Sequence, residues 1–193
     1  MKRILLAALA AAVLPLAAQA GDLSYNYLQG GYDYSNNNSG HNAHGWSGSG
    51  SAAIGQHFQI VGGASRTDHD FTGTTANGWS LGGGFHTPIS DRTDFVGDVG
   101  YHQTSVDGLS GDVKTYTGEA GIRSALAPRF EGWAMAGYAN GHDDLGDINH
   151  GTNGRFFGKL GGQYKLNKNW GLVGETTLSH GDQGYFVGPR FSF

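Results

Sequence analysis

Ser179-His180-Gly181-Asp182 puts a hydroxyl, an imidazole and a carboxylate within four residues. These are the groups of nucleophilic hydrolysis, which needs a base within hydrogen-bond reach of the nucleophile. In an extended segment successive side chains leave opposite faces, so Ser179 and His180 point apart there. Histidines recur beside acids. His41 and His44 form H-x-x-H, His69 stands between Asp68 and Asp70, and His142 precedes Asp143, Asp144, Asp147 and His150. A metal site needs converging ligands and a shell that holds them. These residues lie in polar stretches without fixed ligand spacing, and the acidic run lacks the pattern of a calcium loop. They read as solvated loops with no metal and no cofactor. Cys is absent, which removes disulfides and thiolate ligands.

A second set of charges is spaced differently. Asp98, Glu119, Arg123, Glu131, Lys159, Glu175 and Arg190 each sit inside a run of alternating polar and apolar residues. Four acids and three bases on a shared face can form an acid–base site, line a selective pore or pair into a network. Near-balanced charge, with bulky Trp133, Met135 and Phe157 on the same face, favours the network, because unpaired charges in a narrow interior are costly. His86 and His102 share that face.

The elements carrying these residues are strands. Period two runs through Trp46 to Ile54, Trp79 to His86, Phe95 to His102, Thr115 to Arg123, Phe130 to Tyr138, Phe156 to Tyr164, Trp170 to Ser179 and Tyr185 to Phe193. Phe58 to Arg66 and Leu23 to Tyr34 bring the number to ten, with eight as the alternative. In Leu23 to Tyr34, Tyr25 and Tyr27 fall on one face and Tyr32 and Tyr34 on the other, which a bulge near Gly30-Gly31 would reconcile. Pro189 cannot donate to a ladder and calls for a local bulge too. With 35 Gly in 193 residues, 12% aromatics and 15% charged residues, a helical bundle is excluded, since Gly costs about 1 kcal/mol per helical position.

Residues 1–20 read as a cleaved secretory signal peptide: Lys2 and Arg3, an apolar stretch from Ile4 to Leu14, then Ala18-Gln19-Ala20. Residues 21–193 form one domain. The formal charge of −4 becomes −6 once Lys2 and Arg3 are removed, which excludes a nucleic-acid partner. Connections alternate between tight turns (55–57, 88–92, 125–129, 166–169) and longer polar loops (35–44, 67–77, 105–111, 141–153), the asymmetry of an outer-membrane barrel. Aromatics mark both ends of the apolar face. Phe130 to Tyr138, Phe156 to Tyr164 and Tyr185 to Phe193 are spaced alike, at roughly 20 Å of height for strands tilted by about 40°, close to the band between aromatic girdles. A sandwich core would put its large residues in the middle. The expected fold is therefore all-β: a transmembrane antiparallel up-and-down barrel in the bacterial outer membrane.

Phe193 closes the last strand, with Phe191 and Pro189 on its face. A terminal Phe is the usual assembly signal, so Phe191 and Phe193 imply the barrel-assembly machinery as a partner. Arg66 and Lys114 fall on the lipid face at the outer rim, where cations pair with lipopolysaccharide phosphates. Outer-membrane lipid and lipopolysaccharide are the other expected partners.

Leu23-Ser24-Tyr25-Asn26-Tyr27 with Gly30-Gly31-Tyr32, the run LGGQYKLNKNWGLVGE from Leu160, the later HGD and the tail VGPRFSF resemble a small outer-membrane barrel family of xanthomonad bacteria. The likeness runs through most of the mature chain. Members of that family have been proposed as diffusible quorum-sensing signals and as elicitors of a rice receptor-kinase response, with the elicitor segment falling around Tyr25. The resemblance implies the barrel fold, and it brings no catalytic residue. The expected function is that of a non-enzymatic surface, structural or interaction protein acting through its external loops. The alternatives are a small pore and a loop-borne enzyme using His180 or His142.

Overall fold

The computed structural model describes residues 23–36, 42–108, 110–143 and 154–193. The signal-peptide segment 1–20 and His41, Asp144, Asp147 and His150 lie outside them, as do the side chains of His142 and Asp143. Ten strands follow in order: β1 (Tyr27–Asn36), β2 (Asn42–Ile54), β3 (Phe58–His69), β4 (Thr75–Ser90), β5 (Thr93–Val106), β6 (Asp112–Ala127), β7 (Phe130–Asp143), β8 (Arg155–Lys165), β9 (Trp170–Ser179) and β10 (Asp182–Ser192). Each pairs antiparallel with its neighbours in sequence, and β1 pairs with β10, so the sheet is a closed up-and-down barrel of ten strands. Closure leaves no free sheet edge, which is what a sheet surrounded by lipid requires.

The strands are strongly inclined. Successive ladder partners lead from Tyr27 through Ser51, Val61, Gly82, Gly100, Thr117 and Ala139 to Arg155. That path starts at the turn end of β1 and finishes at the loop end of β8, the stagger of a tilted barrel.

Side chains divide by parity. Outside stand Trp46 (68% exposed), Val99 (66%) and Phe156 (79%), with other large apolar residues. Tyr and Trp crowd the loop end. Tyr32 meets Trp46 edge-on at 5.4 Å between centroids, Tyr101 lies 5.4 Å from Trp79 and 5.3 Å from Tyr116, and Tyr138 lies 5.0 Å from Phe156. A ring of Phe and Trp occupies the turn end, with Phe58 at 5.6 Å from Phe85 and Phe191 at 5.1 Å from Trp170 and 6.2 Å from Phe193. An apolar belt between two aromatic girdles is the exterior of an outer-membrane protein, and the chain is a barrel of the bacterial outer membrane.

Four local expectations are corrected. Regular pairing starts at Tyr27, not Leu23. No bulge interrupts β1: Gln29 opposite Arg190 and Tyr32 opposite Val187 keep one register, so Tyr25 and Tyr27 face inward and Tyr32 and Tyr34 outward without any insertion. No bulge accompanies Pro189, which lies opposite Leu172 in an unbroken register with β9. Its missing N–H falls on the β1 side, where Gly31 and Gly188 come so close that a Cβ on either would overlap the other strand's backbone. The real irregularities lie between Pro88 and Ser90 and between Ala125 and Ala127. They lengthen β4 and β6 and shrink the expected turns to Asp91-Arg92 and Pro128-Arg129.

The glycines fall into two sets. Some, such as Gly162 beside Phe130, sit next to girdle aromatics. Others, including Gly45, Gly82 and Gly121, face inward, where a Cβ would meet the neighbouring strand's backbone. They let the sheet coil sharply enough to close at this size.

Candidate functional site

The lumen gathers the barrel's chemistry. Asp98, Glu119, Arg123, Glu131, Lys159, Glu175 and Arg190 all project inward, from β5, β6, β7, β8, β9 and β10. Their arrangement has two levels.

At the turn end the interior is sealed. The Ser24 hydroxyl accepts from the Asn26 N–H at 3.2 Å, and Asn26 Oδ1 accepts the Ala53 N–H at 2.8 Å. This local turn directs Leu23 and Tyr25 into the barrel mouth instead of extending β1. There they pack with Ala53, Val96, Ala125 and Met135, and Trp133 rests against the cluster. The Tyr25 hydroxyl donates to Asp94 at 2.8 Å, its ring stacks on His86 at 3.7 Å, and the Arg123 guanidinium lies over it at 4.9 Å. Glu131, 2% exposed, accepts from Arg123 Nε at 3.2 Å and Nη2 at 2.5 Å, and Lys165 Nζ lies 2.6 Å from its other oxygen. A carboxylate this enclosed is tolerable only with such partners. Arg190 completes the floor. Its Nε and Nη2 donate to Gln29 at 2.8 and 2.6 Å, its Nη1 donates to Gln163 at 3.2 Å, and its plane lies 4.1 Å from the Tyr27 ring centre and 5.1 Å from that of Trp133.

Above this floor is a cavity of about 430 Å³. One ladder row crosses its wall: Gln59, Gly84, Asp98, Glu119, Gly137 and Phe157 are successive partners from β3 to β8. Gln59 Nε2 donates to Asp98 at 2.9 Å and Lys159 Nζ to Glu119 at 2.9 Å, while Trp133 Nε1 donates to Glu175 at 2.7 Å. Higher up, His102 faces the lumen, contacts the Thr117 hydroxyl at 3.2 Å and is exposed. The interior is thus closely packed at the turn end and more exposed toward the loops. Three carboxylates in the cavity wall, Asp98, Glu119 and Glu175, stand with the Lys159 ammonium, while the Arg123 and Arg190 guanidinium groups line its floor. Gln29, Gln59, Gln163 and Lys165 belong to this machinery and carry no chemical motif in the sequence, where Tyr25 reads only as a strand residue. The three glutamines could have been found by inward parity, but they carry no charge to draw attention.

The other candidates do not assemble. Ser179 and Asp182 close a two-residue turn in which His180 and Gly181 both have positive φ (30° and 95°). The Ser179 hydroxyl donates to the Phe156 carbonyl at 3.2 Å, and Asp182 pairs with Arg155 at 3.2 Å, so hydroxyl and carboxylate are engaged elsewhere. His44 pairs with Asp70 at 3.1 Å, and the Asp68 carboxylate accepts from Thr75 at 2.6 Å. Among the described residues no group of three or more His and acidic side chains is placed to hold a metal. Arg66 and Lys114 both stand on the outward face, but on β3 and β6 with two strands between them, about 14 Å apart around the barrel at the usual strand spacing. Each has to meet its own anion. Tyr25 is 2% exposed, so the folded barrel withholds the segment around it.

No protein-family model matches this sequence, and no curated protein does. Solved barrels match the structure. The translocator domain of the autotransporter NalP from Neisseria meningitidis is 12% identical, with 100% of this chain and 95% of that one covered and a TM-score of 0.49. A KdgM porin is 14% identical over 86% of this chain and 99% of the porin, with a TM-score of 0.42. A transmembrane β-barrel designed de novo is 12% identical over 89% of this chain and 98% of the design, with a TM-score of 0.41.

Proposed function

We propose that the protein is a non-conducting, non-enzymatic barrel that acts at the cell surface through its external loops and the polar cavity beneath them. The observation that carries this reading is the sealed turn end, where Leu23, Tyr25 and the Arg123–Glu131–Lys165 group fill the lumen. Ions entering from outside meet a closely packed layer with no open path. The quorum-sensing or host-recognition role implied by the family resemblance would be exercised by the loops, since the segment around Tyr25 is enclosed. Arg66 supports a lipopolysaccharide contact, because it lies opposite Trp46 within the outer aromatic girdle, at the height of headgroup anions.

Planar-bilayer recording of the refolded protein tests this reading. The native chain should give no steady current steps, and a Leu23→Ala, Tyr25→Ala variant should give them. Reproducible steps from the native chain would replace this reading with the second one, a small pore whose conduit is the 430 Å³ cavity.

A further inference from the structure

We infer that the cavity contains a binding site for a small organic ammonium, built by Gln59, Asp98 and Glu119 and walled by Phe157 and Trp133. Gln59 is 6% exposed, and donation from its Nε2 to Asp98 fixes the orientation of its amide. Its Oε1 is therefore an enclosed acceptor, and it bonds to nothing in the protein. Glu119 repeats the situation: one oxygen takes the Lys159 ammonium and the other, equally enclosed, has no partner. Buried acceptors of this kind are normally satisfied. Both unpaired atoms sit on one ladder row with Asp98 between them.

Two glycines of that row shape the site. A Cβ at Gly84 would overlap Asp98 and Gln59, and one at Gly137 would overlap Phe157 and Glu119. The backbone thus makes room for these side chains to lie across it.

The chemistry selects the ligand class. The unpaired atoms of the row are acceptors, so the ligand must donate. Arg123 and Arg190 are held at the floor and Lys159 by Glu119, which leaves Asp98 and Glu175 hydrogen-bonded only to neutral donors, so the ligand should be positive. An anion finds no opening at the floor: Arg123 is taken by Glu131, and Arg190 by Gln29 and Gln163. A bare metal ion would need converging acidic or imidazole ligands, which the described residues do not supply. An N–H-bearing cation with a short alkyl body fits the acceptors and the aromatic wall together, and a cavity of about 430 Å³ is within the range of small-molecule sites. This inference goes beyond the surface role proposed above and holds whether or not the barrel conducts.

The protein carries its own reporter. Trp46, Trp79 and Trp170 face outward, so the Trp46→Phe, Trp79→Phe, Trp170→Phe variant leaves only Trp133, on the cavity wall. Titrating this refolded variant with 1,4-diaminobutane at constant ionic strength should give a saturable change in emission. Calorimetry on the native chain should give a matching midpoint. Gln59→Leu and Asp98→Asn should each weaken binding at least tenfold, while heat-modifiable gel migration shows that they fold. If one fails to fold, the other carries the test. Tetramethylammonium, which has no N–H, should give no saturable response. Absence of both the emission change and the heat with 1,4-diaminobutane, or an unchanged midpoint in the folded variants, overturns the inference.

Discussion

Replacing Glu131 with Gln strips the charge from the most enclosed carboxylate of the lumen and leaves two cations facing a neutral amide. Arg123 is 8% exposed and cannot turn to water, whereas Lys165, at 24%, can in part. Breaking one side of a buried pair costs about 3–5 kcal/mol, because the surviving charge keeps its desolvation penalty and loses its compensation. With a urea dependence of about 2 kcal/mol per molar, the unfolding midpoint should fall by about 2 M. The assay is urea unfolding of the refolded barrel in liposomes, followed by gel migration of unboiled samples. Two controls bracket the result. Arg155→Ala breaks the rim pair with Asp182, whose members are 56% and 45% exposed, and should cost no more than about 1 kcal/mol. The double replacement Arg123→Met, Glu131→Leu removes both charges and should recover most of the loss, since an apolar pair of similar volume is often no worse than a buried ion pair. If Glu131→Gln shifts the midpoint no further than Arg155→Ala does, the lumen floor is hydrated and the argument for a sealed layer fails.

Three further outcomes are expected. Gly31→Val or Gly188→Val should abolish the heat-modifiable form on refolding, whereas Gly174→Ala, on the outer face with nothing within 4 Å of the new Cβ, should refold like the native chain. Lipids brominated on their acyl chains should quench Trp46, Trp79 and Trp170 but not Trp133, and strong quenching of the variant that keeps only Trp133 would reverse the assigned inside and outside. Lipopolysaccharide should raise the thermal midpoint of the native barrel and raise that of the Arg66→Ala, Lys114→Ala variant less; an equal rise would remove these two cations as headgroup contacts.

Period-two alternation made the strands readable because each strand separates lipid from a polar interior at every residue. The same parity fixed the direction of Asp98, Glu119 and Lys159 without knowledge of their partners. The sealed mouth was hidden for the same reason. Tyr25 keeps step with Tyr27, so alternation alone continues the strand through it. What ends the strand is the turn held by Ser24 and Asn26, a short-range hydrogen bond that no periodicity reports. Pro189 misled in the other direction. A proline in a ladder suggests a bulge, but an antiparallel residue bonds to one neighbour only, and here the missing N–H falls on the β1 side, where Gly31 and Gly188 approach closely without any insertion. The neutral glutamines were overlooked because their role depends on contacts between distant segments: Gln29 and Arg190 are separated by 161 positions.

That separation has a consequence for biosynthesis. The final seam joins the first strand to the last, so it cannot be sewn until nearly the whole polypeptide has been delivered. Throughout that interval the partial sheet presents two raw margins of unpaired peptide groups, each able to capture another such margin. A copy truncated before Arg190 keeps those margins for good and is expected to clump instead of inserting.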